Sequence, residues 1–340
     1  MTFMSSVLRD ETVPKVSVII PNYNHATYLA QRINSVLVQT FSDIEVILLD
    51  DFSKDNSSEI IQTYSKIDSR IRPVFNSSNS GSVFKQWAKG LSFAKGKYVW
   101  IAESDDFAEP NFLSTLVPIL EQDSTLAFAY SNSLVVDSEG SAKEPISELK
   151  KRIFNTEHWH HDFVSDGKQE LSQYLSLQCT VNNASAVLFR RSSIDEVGGV
   201  DTNFRYTGDW MMYIKLSLIG NIAYRAECLN NYREHEVNAS KKSFSDGSQL
   251  FERQKCFAYV YKSSALDKVS TDTMLYYASI ELKELQYHLF NNIKQPGKML
   301  HMISEIIKIS PAYYIKVQYG IIRVTKLWNK MRSLRDSYKG

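Results

Sequence analysis

Glu103, Asp105 and Asp106 place three carboxylates within four residues, with Ser104 after the first. Like charges this close repel one another, and a divalent cation relieves the repulsion. An oxygen-rich set beside a bound diphosphate suits Mg²⁺ or Mn²⁺ better than zinc. The preceding run, Tyr98-Val99-Trp100-Ile101-Ala102, is apolar and β-prone, and Gly96 bounds it. It reads as a buried strand. In an open α/β sheet the ligand sits beyond the carboxyl ends of the strands, which is where this cluster falls. A solvated acidic loop is the plain alternative for the cluster taken alone.

The surrounding elements fit a site-bearing sheet. Val16 to Ile20 is a β-branched run ended by Pro21-Asn22-Tyr23-Asn24, and Leu29, Ile33, Val36 and Leu37 then share one helical face. Ile44 to Leu49 is a second strand ending in Asp50-Asp51-Phe52-Ser53. A helix follows with Ile60, Ile61 and Tyr64 inward, then a short strand, Ile71 to Phe75. Asn76 to Ser82 is a polar turn and Val83 to Ala94 a helix. Alternating strands and helices imply an α/β fold with a mostly parallel central sheet flanked by helices.

Further along, Asn111 to Leu120 reads as a helix and Leu126 to Tyr130 as a strand continued by Leu134 to Val136. Ser138 to Lys151 is polar and reads as irregular. His158, His160 and His161 flank Trp159 without evident partner ligands, so a mobile loop is expected rather than a metal site. Ala184 to Phe189 and Ile222 to Tyr224 read as strands, and Thr207-Gly208-Asp209-Trp210 opens a helix. From about Ser248 helical periodicity takes over.

The chain has 340 residues, 43% hydrophobic and 23% charged, as expected of a globular core. A net charge of +1 argues against a nucleic-acid partner. Cys179, Cys228 and Cys256 form neither a CxxC pair nor a disulfide framework, which suits a reducing compartment. The first residues carry Arg9, Asp10 and Glu11 and lack an apolar signal core. No apolar run is as long as a membrane span. A cytoplasmic protein is the expectation.

Together the motifs resemble glycosyltransferase family 2, whose members have the GT-A fold. Val16 to Asn24 is similar to the family's first strand and loop, and Leu49 to Ser57 to its VDDGSxDxS motif. Ala94 to Tyr98 followed by Glu103-Ser104-Asp105-Asp106 is similar to A-x-G-x-Y and D-x-D-D. Ala186 to Arg191, Val197-Gly198-Gly199, Gly208-Asp209 and Tyr232-Arg233-Glu234-His235 match later landmarks, so the resemblance spans residues 15 to about 240.

The resemblance implies an inverting glycosyltransferase that moves a sugar from a nucleoside-diphosphate donor, with a UDP-sugar expected, to a saccharide or lipid-linked saccharide hydroxyl. It implies Asp105 as metal ligand, with His235 a further metal contact, and Mn²⁺ or Mg²⁺ as cofactor. Glu103 and Ser104 would lie near the donor ribose, Asp51 would accept an N–H of the base, and Pro21 and Tyr23 would pack around that base. Asp209 would be the general base; as a bland alternative it caps the helix. Three departures stand out. Glu103 replaces the first Asp of D-x-D, and its extra methylene would shift its contact from metal to ribose. Gly208 replaces the usual Glu before the base, and Val83 to Gly90 lacks the family's A-R-N, leaving Lys85 as a substitute cation.

A nucleotidyltransferase would need a glycine-rich phosphate loop after the first strand, and Pro21 to Asn24 has no glycine. A non-catalytic nucleotide-sugar-binding or partner protein of the same fold is the remaining alternative. The expected division is a catalytic domain over residues 15–245, with a nucleotide half (15–137) and an acceptor half (138–245), and a helical extension over 246–340. Beyond Pro296 nine basic residues face two acidic ones. Tyr314, Val317, Ile321, Val324, Trp328 and Met331 recur at helical spacing. Such a face could rest on a membrane surface, giving a peripheral location on the inner face of the cell membrane, or on a second subunit or the catalytic domain.

Overall fold

A computed structural model describes residues 13–181, 183–235, 247–287 and 296–322. Its centre is a ten-stranded mixed sheet. Strands β1 (Val16–Asn22), β2 (Ile44–Asp50), β3 (Ile71–Phe75) and β4 (Tyr98–Ile101) form a parallel half in the order β3-β2-β1-β4. Every residue of β1 is buried, the continuous run expected of a strand covered on both faces. Side chains alternate between two core layers. Val16, Val18, Ile20, Tyr98 and Trp100 enter one; Ile19, Ile47, Val99 and Ile101 enter the other.

The first layer is covered by α1 (Ala26–Leu37), α2 (Ser57–Ile67) and α4 (Phe112–Gln122), the second by α3 (Val83–Phe93) and α8 (Gly208–Ile219). Gly96 is required by close approach, because a Cβ there would lie 2.5 Å from the Ser17 nitrogen.

Beyond β4 the sheet changes direction. β9 (Val187–Arg190) lies antiparallel between β4 and β6 (Leu126–Val136), and β10 (Asn221–Arg233) runs parallel to β6. The sequence marked only the start of β10. Its register shifts between Arg225 and Cys228, and again between Cys228 and Asn230. The two-residue β5 (Phe107–Ala108) closes the edge against β10.

Two expectations are corrected. The polar segment 138–151 is not irregular: β7 (Ala142–Pro145) pairs with β6 and α5 (Ile146–Phe154) follows. α5 is short, and its apolar residues Ile146, Leu149, Ile153 and Phe154 are separated by charged and polar ones, so the stretch reads as polar in bulk. The histidines are not in a mobile loop. His158 stacks on Phe163 and Tyr174, with centroids 4.0 and 5.1 Å away, and its Nε2 lies 2.6 Å from Glu170. His160 contacts Glu148 and Glu157. Glu148 and Glu170, each twelve residues away, and the nearer Glu157 supply the order. Nearby, Lys150 is buried with its ammonium 5.1–5.5 Å from the ring centres of Tyr130, Trp159 and Tyr224.

α9 (Ser248–Ser263), α10 (Lys268–Tyr287), α11 (Pro296–Ile309) and the helix at 311–322 form the C-terminal part. Their apolar residues are continuous with the core under the sheet: Phe257, Val260, Met274, Ile306 and Val317 belong to one cluster with Trp210 and Met211. Val317 is buried, and Tyr314 and Ile321 pack partly buried against the same cluster. Val324, Trp328 and Met331 lie outside the described residues. Among the described residues no helix is long and apolar enough to cross a membrane.

Candidate active site

The acidic cluster leaves β4 at the carboxyl edge of the sheet, and each carboxylate meets a different environment. Trp87 donates its indole N–H to Glu103 at 2.7 Å. Burial, then the charge of Asp105, pushes Glu103 up to about 8. Asp106 accepts from Ser185 Oγ (2.7 Å), Asn183 Nδ2 (3.0 Å) and the Arg233 backbone (2.9 Å). Burial and Asp105 raise it to about 6. Burial also works against an ionised Asp105, but the hydrogen bond from His235 and the nearby imidazoles outweigh it and hold Asp105 below its ordinary value. One member of the cluster thus stays strongly anionic while its neighbours resist ionisation.

Beneath the cluster lies Arg32, fully buried inside α1. Its Nε donates to the Glu103 carbonyl at 2.8 Å. Arg233 donates to the Asp105 carbonyl, reaches Gln31 Oε1 and sits 4.7 Å from the Tyr28 ring centre. These cations offset charge without occupying the outer face of Asp105.

That outer face gathers two imidazoles. His235 Nε2 is 3.1 Å from Asp105 Oδ2, and His25 Nδ1 is 2.8 Å from Ser104 Oγ. One potential ligand atom from each of His25, Asp105 and His235 lies within 4.8 Å of the others. Burial lowers the proton affinity of His25 and favours the neutral imidazole that can bind a cation. His25 was missed by the sequence reading. The available signal was a histidine directly after the Pro21–Asn24 loop, at the carboxyl end of β1.

The loops after β1 and β2 are laced together. Asp50 accepts from Asn22 Nδ2 and from the Ser53 N–H and hydroxyl; Asn24 Oδ1 accepts from the Lys54 amide at 2.7 Å. Asn24 and Phe52 hold positive φ, 55° and 66°, to make these turns. Pro21 is buried and Tyr23 is 44% exposed. Asp51 directs its carboxylate to the 76–86 region, accepting from Asn76, from the Ser80 N–H and hydroxyl, and from Gln86. Lys85 Nζ donates to the Ser80 carbonyl at 3.1 Å, on the same loop.

Asp209 lies in the first turn of α8 and accepts from the Trp210 amide at 2.8 Å. Burial pushes it up to about 6. Asp209 and the acidic cluster act on a common neighbour: partly buried Tyr232 is raised by burial and then by Asp106, Asp105, Glu234 and Asp209. Gly208 has a steric cause. A Cβ there would lie 2.9 Å from the Phe84 ring and 3.0 Å from Phe204 Cβ.

The family model for glycosyl transferase family 2 matches residues 17–198. A chondroitin synthase from Pasteurella multocida is 25% identical over 95% of this chain, which spans 30% of that protein. An uncharacterized glycosyltransferase from Rickettsia felis is 32% identical over 67% of this chain and 36% of its own length. Among solved structures, residues 1–349 of S. aureus TarS in complex with UDP-GlcNAc align with a TM-score of 0.66 at 16% identity, covering 96% of this chain and 91% of that one. A Pyrobaculum calidifontis mannosyltransferase with GDP-Man and Mn²⁺ aligns at 0.54 and 14% identity, covering 92% and 88%. The fold is thus GT-A with C-terminal helices, and the chain belongs to glycosyltransferase family 2.

Proposed function

We propose that this chain transfers a glycosyl group from a nucleoside-diphosphate sugar to a hydroxyl of a saccharide or lipid-linked saccharide, with inversion at the anomeric carbon. The observation that carries the reading is the meeting of Asp105, His25 and His235 at the carboxyl edge of β4. Two imidazoles and a carboxylate are a fitting donor set for a divalent cation, and the nitrogen ligands favour Mn²⁺ over Mg²⁺. When bound, the cation supplies Lewis-acid neutralisation of the departing diphosphate. A UDP-sugar is the favoured donor, because the TarS complex with UDP-GlcNAc aligns over more of this chain than the complex with GDP-Man.

The chain's own residues do the rest. The loops after β1 and β2 frame the nucleotide, with exposed Tyr23 as a stacking surface. Asp51 holds the 76–82 turn and Lys85 against that frame. Asp209 takes the acceptor proton as the new O–C bond forms at the anomeric carbon, and the C–O bond to the diphosphate breaks with its electron pair. With Asp209 near 6, the carboxylate form predominates at neutral pH.

The test pairs a donor panel with the base. Thermal shifts with UDP-, GDP- and dTDP-sugars, with and without Mn²⁺, should single out a UDP-sugar and require the metal. Asp209→Asn should lower kcat by roughly 10² to 10⁴ with donor affinity little changed. Full turnover in that variant, or a retained anomer by NMR, rejects the mechanism.

A further inference from the structure

We propose that Glu252, on the C-terminal helix α9, is a positioning residue for Asp209, so that the helical extension completes the active site. The inference rests on Asp209 as the base. Three consecutive backbone N–H groups precede α8, and one carboxylate collects them all. Glu252 Oε1 accepts from Arg205 at 2.7 Å; Oε2 accepts from Tyr206 and Thr207, each at 2.8 Å. The Thr207 hydroxyl adds a contact at 3.3 Å. Glu252 is 6% exposed. Bonds from N–H groups to a buried carboxylate are short, strong and directional, so the backbone entering α8 has little freedom.

The residues beside Glu252 fix its other side. Arg253 forms a two-pronged pair with Glu281 on α10 and lies 4.8 Å from the Trp210 ring centre. Trp210 directly follows Asp209, and its indole N–H donates to the Leu175 carbonyl. Gln254 donates to the Ala278 carbonyl and accepts from the Tyr313 hydroxyl. Asp209 is therefore held on its N-terminal side by Glu252 and on its C-terminal side through Trp210. The family's usual carboxylate before the base has no room at Gly208; here a carboxylate reaches the same turn from a distant helix.

The electrostatics agree. Glu252 raises the proton affinity of Asp209, secondary to burial. The other ionisable groups sharing its field are Tyr213 on α8, Tyr232 on β10, Cys179, and Cys256 on α9, the last two also facing Arg253. Of these, Cys256 also feels the charge of Glu252, which adds to burial in raising its proton affinity.

The test is Glu252→Gln in the full chain, with Glu252→Asp beside it. The Gln variant presents an N–H₂ to backbone donors and removes the charge. Its kcat should fall roughly ten- to a hundredfold, with donor KM within about twofold. The acid limb of its kcat/KM profile should move to lower pH, since Asp209 loses an anionic neighbour. Glu252→Asp keeps the charge but withdraws it by one methylene. It should lose kcat with the acid limb near its original place, and it carries the test if the Gln variant does not fold. A lowered melting temperature with unchanged kcat and unchanged limb per folded molecule would make Glu252 purely structural and overturn the proposal. Asp209→Asn separates the two levels. If it retains turnover, the base reading fails; if it is dead while both Glu252 variants match the parent, only the positioning role fails.

Discussion

Arg32 Nη2 lies 4.0 Å from Asp106 Oδ2 where neither side chain meets solvent. The guanidinium is pulled down to about 10 by burial despite three carboxylates nearby, so its charge is held at a cost that the cluster offsets. Arg32→Met removes one of the two buried arginines beside this cluster. It should destabilise the fold by about 3 kcal/mol or more, the usual result of leaving a buried charge uncompensated. Urea unfolding measures this; a change under 1 kcal/mol would mean the carboxylates are neutral without it.

His25→Ala should weaken Mn²⁺ binding in the presence of a nucleoside diphosphate by at least about tenfold, comparable with the loss caused by removing a ligand-orienting group. Titration calorimetry reads it directly. Unchanged affinity would take His25 out of the donor set and leave Asp105 and His235.

Gly208→Glu restores the residue that the family usually carries, yet it should destabilise this chain. A carboxylate at a helix N-terminus gains at most about 2 kcal/mol, whereas forcing a side chain against Phe84 and Phe204 costs about 1–3 kcal/mol and burying the charge at this buried position adds a desolvation cost. The two costs together win. Adding Phe84→Leu should recover part of the loss in a double-mutant cycle; no recovery would locate the clash elsewhere.

Lys150 gives a pH prediction with a definite sign. Burial pushes its ammonium from 10.5 down to about 7. Between those values the unfolded chain holds a proton that the folded chain lacks, so this residue makes stability rise with pH across that window. The penalty is fully present below about 7 and gone above 10.5. Lys150→Met should therefore raise the melting temperature most at pH 6 and progressively less towards pH 9.5. A constant difference across that range would show that Lys150 has an ordinary proton affinity.

How much of this was legible depended on sequence distance. Glu103 to Asp106, the Pro21–Asn24 loop and Asp50–Ser53 could be read because each is one short run at the end of an apolar strand. The roles of Arg32, His25 and Glu252 could not be read this way. Arg32 looks like any charged helix residue until the helix is packed, and its partner is more than seventy positions away. Glu252 meets its three amides across more than forty residues. The order around His158 was hidden because the stacking of Phe163 and Tyr174 on the imidazole and its contact with Glu170 arise only in the fold, although the partners are near in sequence. Gly208 was noticed as a departure, but its cause is a ring from another helix.

The shifted register of β10 has a consequence for how this region can vary. Between Arg225 and Asn230 the strand carries more residues than the stretch of β6 it pairs with, and the surplus is absorbed before Arg233 and His235 reach the acidic cluster. Successive strand side chains point to opposite faces, so removing one residue here would invert everything downstream. His235 would then turn away from Asp105. The segment acts as a spacer whose length is constrained more tightly than its composition: exchange of its side chains should be tolerated across relatives where a single insertion or deletion is not.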